Sequence, residues 1–206
     1  MSTTMRRIRR LAAAATAAAA LAIPAAANAG SLEDQAPACD TQLLSQPFLP
    51  WADVASYTLN PGGSFERGAP AWSLDGASVT SGNEPFYVTS ADDGRSLSLP
   101  AGSSAVSAPI CVGIEHPDIR FFANPSSPAA RLSVEVLFEN AGGDLLSAPI
   151  GTVTGSAGWV PTAPFPIVAN LLPLLPGNHT AVAFGFRASG GSFRIDDLYV
   201  DPYQRR

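Results

Sequence analysis

No helix of ordinary length can be threaded through most of this chain. Nineteen prolines and eighteen glycines break 206 residues into short apolar runs. A proline inside a helix removes a hydrogen bond and clashes with the preceding turn, whereas short runs bounded by turn residues suit strands. The clearest run is Arg131 to Glu139, where Leu132, Val134, Val136 and Phe138 face one way and Arg131, Ser133, Glu135 and Glu139 the other. Thr180 to Arg187 repeats the alternation with Val182, Phe184 and Phe186. Weaker candidates lie at 77–80, 86–89, 96–99, 105–112, 120–123 and 149–153. Turn residues separate them at Asp75-Gly76, Asp92-Asp93-Gly94, Ala141-Gly142-Gly143 and Pro176-Gly177-Asn178. Many short strands with one apolar face predict an all-β, antiparallel β-sandwich.

The start of the chain reads differently. Arg6, Arg7, Arg9 and Arg10 precede an apolar run from Leu11 to Ile23, which Pro24 ends. Ala27-Asn28-Ala29 then supplies the small residues of an export cleavage site. Residues 1–29 are therefore expected to be a signal peptide, cut near Ala29 and Gly30. A short polar lead over 30–38, one sandwich domain over 39–202 and a tail over 203–206 complete the expected plan. The mature protein would work outside the membrane, secreted or extracytoplasmic.

Charge narrows the partners. Every basic residue is arginine, and eight of them face seventeen acids after residue 29, a net charge of −9. Nucleic acid and anionic lipid are poor partners for such a chain, because no basic stripe offers phosphates a counter-charge. The two cysteines, Cys39 and Cys111, both fall in the exported part. An even pair in an oxidising compartment predicts one disulfide.

Two stretches resist the simple pattern. Residues 161–177, PTAPFPIVANLLPLLPG, are apolar yet carry five prolines. Such spacing excludes a helix or a central strand; it predicts a buried long loop or, alternatively, an exposed ridge for a protein partner. Residues 194–202, RIDDLYVDP, place the acids Asp196 and Asp197 inside an apolar strand. Phe193 and Ile195 would face inward, as would Leu198 and Val200, and the two halves share one face only if a bulge at Asp196-Asp197 resets the alternation.

Gly63-Ser64-Phe65-Glu66 followed by Trp72, Phe184-Gly185-Phe186-Arg187 and the closing Ile195-Asp196-Asp197-Leu198 together resemble jelly-roll carbohydrate-binding modules of the galactose-binding-like superfamily. PWADVASYTLNPGGSFE, SGNEPF, RFFANP and the cysteine pair also resemble a set of secreted bacterial β-sandwich proteins that brings no activity to transfer. The first resemblance implies a jelly roll, a role in binding carbohydrate or cell-surface glycan, and a structural calcium ion. Carried onto this chain, the calcium ligands would be Glu66 with Asp196 or Asp197, joined by backbone carbonyls, a hard-oxygen set that suits Ca²⁺. Trp72 in that motif is expected to pack inside.

The residues themselves favour binding over catalysis. The sequence has no H-E-x-x-H, G-x-S-x-G or phosphate-cradling glycine loop, and no residue is singled out as catalytic. Its two histidines, His116 and His179, sit in turn-like sequence and read as solvated loop residues. Aromatic rings that could stack on sugars are Trp159, Trp51, Tyr57 and Tyr87, with Phe86 beside the last. Two alternatives stay open: an envelope-associated structural or protein-interaction module, and a small glycan hydrolase drawing on Glu66, Glu84, Glu135 and the aspartate pair.

Overall fold

The computed structural model describes residues 31–113, 115–155, 158–167 and 178–203. The expected signal peptide, most of the proline-broken stretch after Ile167 and the end of the tail lie outside them. Within the described residues thirteen strands, β1–β13 in chain order, form two antiparallel sheets.

The first sheet runs β10 (Val160–Pro161), β7 (Asp118–Pro125), β13 (Phe193–Asp201), β4 (Arg95–Leu99) and β3 (Ser78–Ser81). β1 (Thr58–Leu59) adds to β13, and β11 (Phe165–Pro166) adds to β7. The second sheet runs β2 (Ser73–Asp75), β5 (Ser104–Val106), β12 (His179–Ser189), β8 (Arg131–Glu139) and β9 (Leu145–Thr154), with β6 (Ile110–Gly113) also paired to β12. Along the chain the strands change sheet eight times, between β1 and β2, β2 and β3, β4 and β5, β6 and β7, β7 and β8, β9 and β10, β11 and β12, and β12 and β13. This is the jelly-roll type of sandwich, in which crossovers close the core at both ends.

Alternation decides what lies between the sheets. Leu97 and Leu99 of β4, Ile119, Phe121 and Ala123 of β7, and Phe193, Ile195, Leu198 and Val200 of β13 form one wall. Leu132, Val134 and Val136 of β8 with Val182, Phe184 and Phe186 of β12 form the other. β8 coincides with the strand read from sequence, end to end. The bulge is also present: pairing of β13 with β7 shifts register between Asp196 and Tyr199, and Asp197 takes the left-handed conformation with φ 49°. That one residue brings Leu198 and Val200 back onto the core face.

Three local readings change. Residues 86–89 are not a strand but a loop, because the Glu84 carboxylate folds back to accept the amides of Phe86 and Val88. The run 105–112 divides into β5 and β6 around Pro109. The lead before Cys39 carries a four-residue helix, α1 (Leu32–Gln35), capped by Ser31, whose hydroxyl accepts the Asp34 amide at 3.1 Å.

Cys39 and Cys111 form a disulfide, with Cα atoms 5.2 Å apart. It fixes the beginning of an irregular segment, residues 42–57, which we call the strap. Ser45 and Tyr57 exchange backbone hydrogen bonds at 2.8 Å and close the strap into a loop. Residues 160–167 supply β10 and β11 to the edge of the first sheet and bury Ile167. No described helix is long and apolar enough to cross a membrane.

Candidate functional site

The outer face of the first sheet carries chemistry that the inner face lacks. Alternation turns Asp118, Arg120 and Phe122 of β7 away from the core, and Arg194, Asp196, Tyr199 and Asp201 of β13 likewise. A sheet face this polar would ordinarily meet water. Here the strap lies over part of it, against Arg120, Phe122 and Tyr199.

Phe48 enters from the strap and is fully buried. Its ring stacks on Phe122 with centroids 5.5 Å apart and meets Tyr57 and Tyr199 edge-on at 5.1 and 5.8 Å. The Arg120 guanidinium lies 4.2 Å from the same ring. Arg120 Nη1 also pairs with Asp53 of the strap at 2.5 Å, and its Nε donates to the Thr162 carbonyl at 2.8 Å. Trp51, Val88 and Trp159 pack around this small second core.

The rings named from sequence therefore have different fates. Trp159 is partly exposed, rests on the second core, and has the Arg194 guanidinium 5.5 Å from its ring centre. Trp51 is partly exposed and packs edge-to-face on Phe86 at 4.9 Å. Phe86 and Tyr87 stand out at 43% and 50% exposure. Tyr57, in contrast, is 1% exposed and spends its hydroxyl on Asp53 at 2.8 Å, so it supports the face and offers no ring to a ligand. Trp72 lies inside as expected, against Phe65 and stacked on Phe186.

Beside the aromatics lies the acidic pair. Asp196 accepts the Glu84 amide at 3.2 Å and the Asp197 amide at 2.9 Å. Asp197 accepts the Thr89 hydroxyl at 2.9 Å, and that hydroxyl lies 2.8 Å from the Tyr199 hydroxyl. The two aspartates thus tie the loop 82–94 onto β13. Arg194 holds the base of the loop, donating to the Ser81 carbonyl at 2.7 Å, to the Gly82 carbonyl and to the Ser96 hydroxyl. Burial pushes the Asp196 carboxyl up to about 9, with the Asp197 charge adding to it. Burial likewise raises Asp197 to about 7 against the opposing Thr89 hydrogen bond, with Glu84, Asp93 and Glu66 contributing like charge.

The two resembled motifs do meet. Leu198 donates to the Gly63 carbonyl at 3.2 Å, and a Cβ on Gly63 would stand 2.9 Å from the carbonyl oxygens of Asn60 and Leu198. Only glycine allows that approach. Glu66, however, turns to the amides of Gly94 and Arg95 at 2.9 and 2.7 Å. Among the described residues no three Asp, Glu, His or Cys side chains form a group that could hold a metal ion. Glu135 stands on β8, in the other sheet from the acidic pair. His116 is exposed.

Sequence reasoning missed Phe48, the Asp53–Arg120 pair and the part played by Glu84. The dense cluster Phe48-Leu49-Pro50-Trp51 was the visible signal for the first, since three bulky residues around a proline rarely lie idle on a surface.

No protein-family model matches the sequence, and no curated protein matches it. Solved structures do resemble it in fold. The enzymatically active domain of bacteriophage CBA120 tailspike protein 4 aligns at TM-score 0.48 and 13% identity, over 69% of this chain and 21% of its own. This chain therefore spans about a fifth of that protein. A family 22 carbohydrate-binding module of Clostridium thermocellum Xyn10B aligns at TM-score 0.42 and 16% identity, over 72% and 95%. A family 61 carbohydrate-binding module, solved with β-1,4-galactotriose, aligns at TM-score 0.41 and 13% identity, over 68% and 94%. These are likenesses of a β-sandwich and of nothing finer.

Proposed function

We propose that this is an exported, non-catalytic glycan-binding sandwich whose ligand face is the uncovered part of the first sheet's outer face. Trp159 would be the stacking platform, with Trp51, Phe86 and Tyr87 around it. The observation that carries the reading is the mounting of Trp159: a large, partly exposed ring backed by a buried aromatic group and a fixed guanidinium. Rings held this rigidly lose little freedom when a sugar stacks on them. Export belongs to the same proposal and is supported by the Cys39–Cys111 bridge.

A screen against soluble and insoluble polysaccharides tests it. Saturable binding by the wild type, lost in Trp159→Ala with the fold intact, is the expected result. Silence across the screen overturns the reading. Release of reducing ends during the same screen would favour the hydrolytic alternative.

Calcium stays within the proposal as a stabiliser of the loop 82–94. Asp197, crowded by Glu84, Asp93 and Glu66, is the carboxylate whose charge a cation would offset. Backbone carbonyls would have to complete the ligand set, because Glu66 is engaged at Gly94 and Arg95. A melting temperature that is the same in millimolar calcium and in excess chelator would remove calcium from the proposal.

A further inference from the structure

A row of unspent polar groups crosses the uncovered part of the first sheet's outer face. Arg194 of β13 is paired with Asn124 of β7 on one side and with Ser98 of β4 on the other, and Ser98 is paired with Ser78 of β3. Residues directly opposite one another in a sheet share a face. Trp159 ends the row, since the residue after it, Val160, is paired with Ala123. Trp159, Asn124, Arg194 and Ser98 are partly exposed, and Ser78 is exposed. The side chains of Asn124, Ser98 and Ser78 make no hydrogen bond among the described residues.

Arg194 is the charged member of the row, and neutral acceptors hold it in place. Its Nε and Nη2 donate to the Ser96 hydroxyl at 3.0 and 2.7 Å, and Nη2 also reaches the Ser81 and Gly82 carbonyls. The guanidinium lies over Gly82, where a Cβ would stand 3.0 Å from Nη2. Among the described residues Nη1 donates to nothing, and no carboxylate forms an ion pair with the side chain. Asp196, two positions along the same face, is 2% exposed and accepts the Glu84 and Asp197 amides instead. Burial also pushes its carboxyl up to about 9. Glu66 is likewise engaged, by the Gly94 and Arg95 amides. The guanidinium therefore presents an uncompensated positive charge, fixed 5.5 Å from the centre of the Trp159 ring.

A neutral sugar offers hydroxyls to Asn124, Ser98 and Nη1, but nothing to answer that charge. A carboxylate answers it, because a charge-assisted hydrogen bond is roughly twice as strong as a neutral one. We propose that the ligand is an acidic polysaccharide, one whose sugars carry carboxylates. Arg194 Nη1 donates to the carboxylate, and the same sugar lies on Trp159. The proposal rests on the glycan-face reading and names its substrate class. Charges elsewhere on this acidic chain count for little at the site, because at physiological ionic strength their fields are screened over about 8 Å.

Calorimetric titration of the intact protein with polygalacturonate and with alginate, each beside its esterified form, tests this. Esterification keeps the backbone and removes the charge. At least one acidic polymer should bind about tenfold more tightly than its ester. Arg194→Gln, checked for its fold by melting, should bring that pair within about twofold of each other. Should Arg194→Gln fail to fold, the polymer pairs on the wild type still decide. Equal affinity for acid and ester, a preference that survives Arg194→Gln, or binding confined to neutral polysaccharides would each overturn the acidic ligand and leave the glycan reading standing. Binding to no polysaccharide at all would remove both.

Discussion

Asp197 accepts a hydrogen bond from Thr89, 2.9 Å away in space and 108 positions away in sequence. The contact fastens the loop 82–94, whose Phe86 packs on Trp51, to the last strand. It is made by a carboxylate that is 2% exposed, next to another equally buried one.

Stability should therefore fall as the solution becomes alkaline. Asp196 and Asp197 are raised in the fold, to about 9 and about 7, above the ordinary value of 3.8. A raised carboxyl contributes stability that is complete below its unfolded value and is lost as pH climbs through its folded one. Denaturant unfolding at pH 5 and pH 9 should show a loss of at least about 3 kcal/mol, the part that Asp197 alone contributes. Asp197→Asn should flatten the curve. A stability that holds constant or rises over this range would mean that a bound cation or a rearranged loop has compensated the charges.

Trp159→Ala should separate binding from folding. The ring is partly exposed and rests on the second core from outside, so its loss should shift the melting temperature by only about 3 °C. Binding to a responsive polysaccharide should weaken at least about tenfold. Trp72→Ala, at a position 8% exposed between Phe65 and Phe186, should instead cost about 3–5 kcal/mol of stability.

The disulfide should matter to the whole domain. It joins residues 72 positions apart, and on the chain-entropy account closing such a loop stabilises the fold by about 4 kcal/mol. Cys39→Ser, with Cys111→Ser to avoid a free thiol, should lose that amount in denaturant unfolding. Equal stability of the double variant would show that the strap holds its place by packing alone.

Much of this was legible because it is local. The alternation in 131–139 is a property of nine neighbouring residues, and the bulge follows from the apolar positions on either side of Asp196-Asp197. Pairing of Cys39 with Cys111 followed from there being two cysteines in a chain expected to be exported. What could not be read is the covering of one sheet face by the strap. Tyr57 looks like a surface ring until Phe48, Arg120 and Asp53 are seen around it, and nothing in its own neighbourhood announces partners 63 residues away. Residues 86–89 have strand composition, and the Glu84 carboxylate overrides it by accepting two amides of the same loop. Glu66 matched its motif and still turned to the Gly94 and Arg95 amides, because which acceptor wins is settled by the loop opposite.

The edge where the two sheets meet offers a last test of packing. Phe165 of β11 belongs to the first sheet, stacks on Phe121 at 6.0 Å, and reaches across to β9 of the second. A Cβ built on Gly151 would lie 2.2 Å from the Phe165 ring, so the bare glycine is what lets the ring close this end of the core. The backbone there needs no unusual angle, since Gly151 is absent from the residues with positive φ. Any effect of Gly151→Ala would then come from crowding alone. We expect it to destabilise by about 1–3 kcal/mol. Phe165→Ala should also destabilise, and the double variant Gly151→Ala with Phe165→Ala should cost less than the two single losses together, because the methyl group would enter space the ring has left. Strict additivity in that cycle would show that Phe165 does not pack on Gly151 in solution.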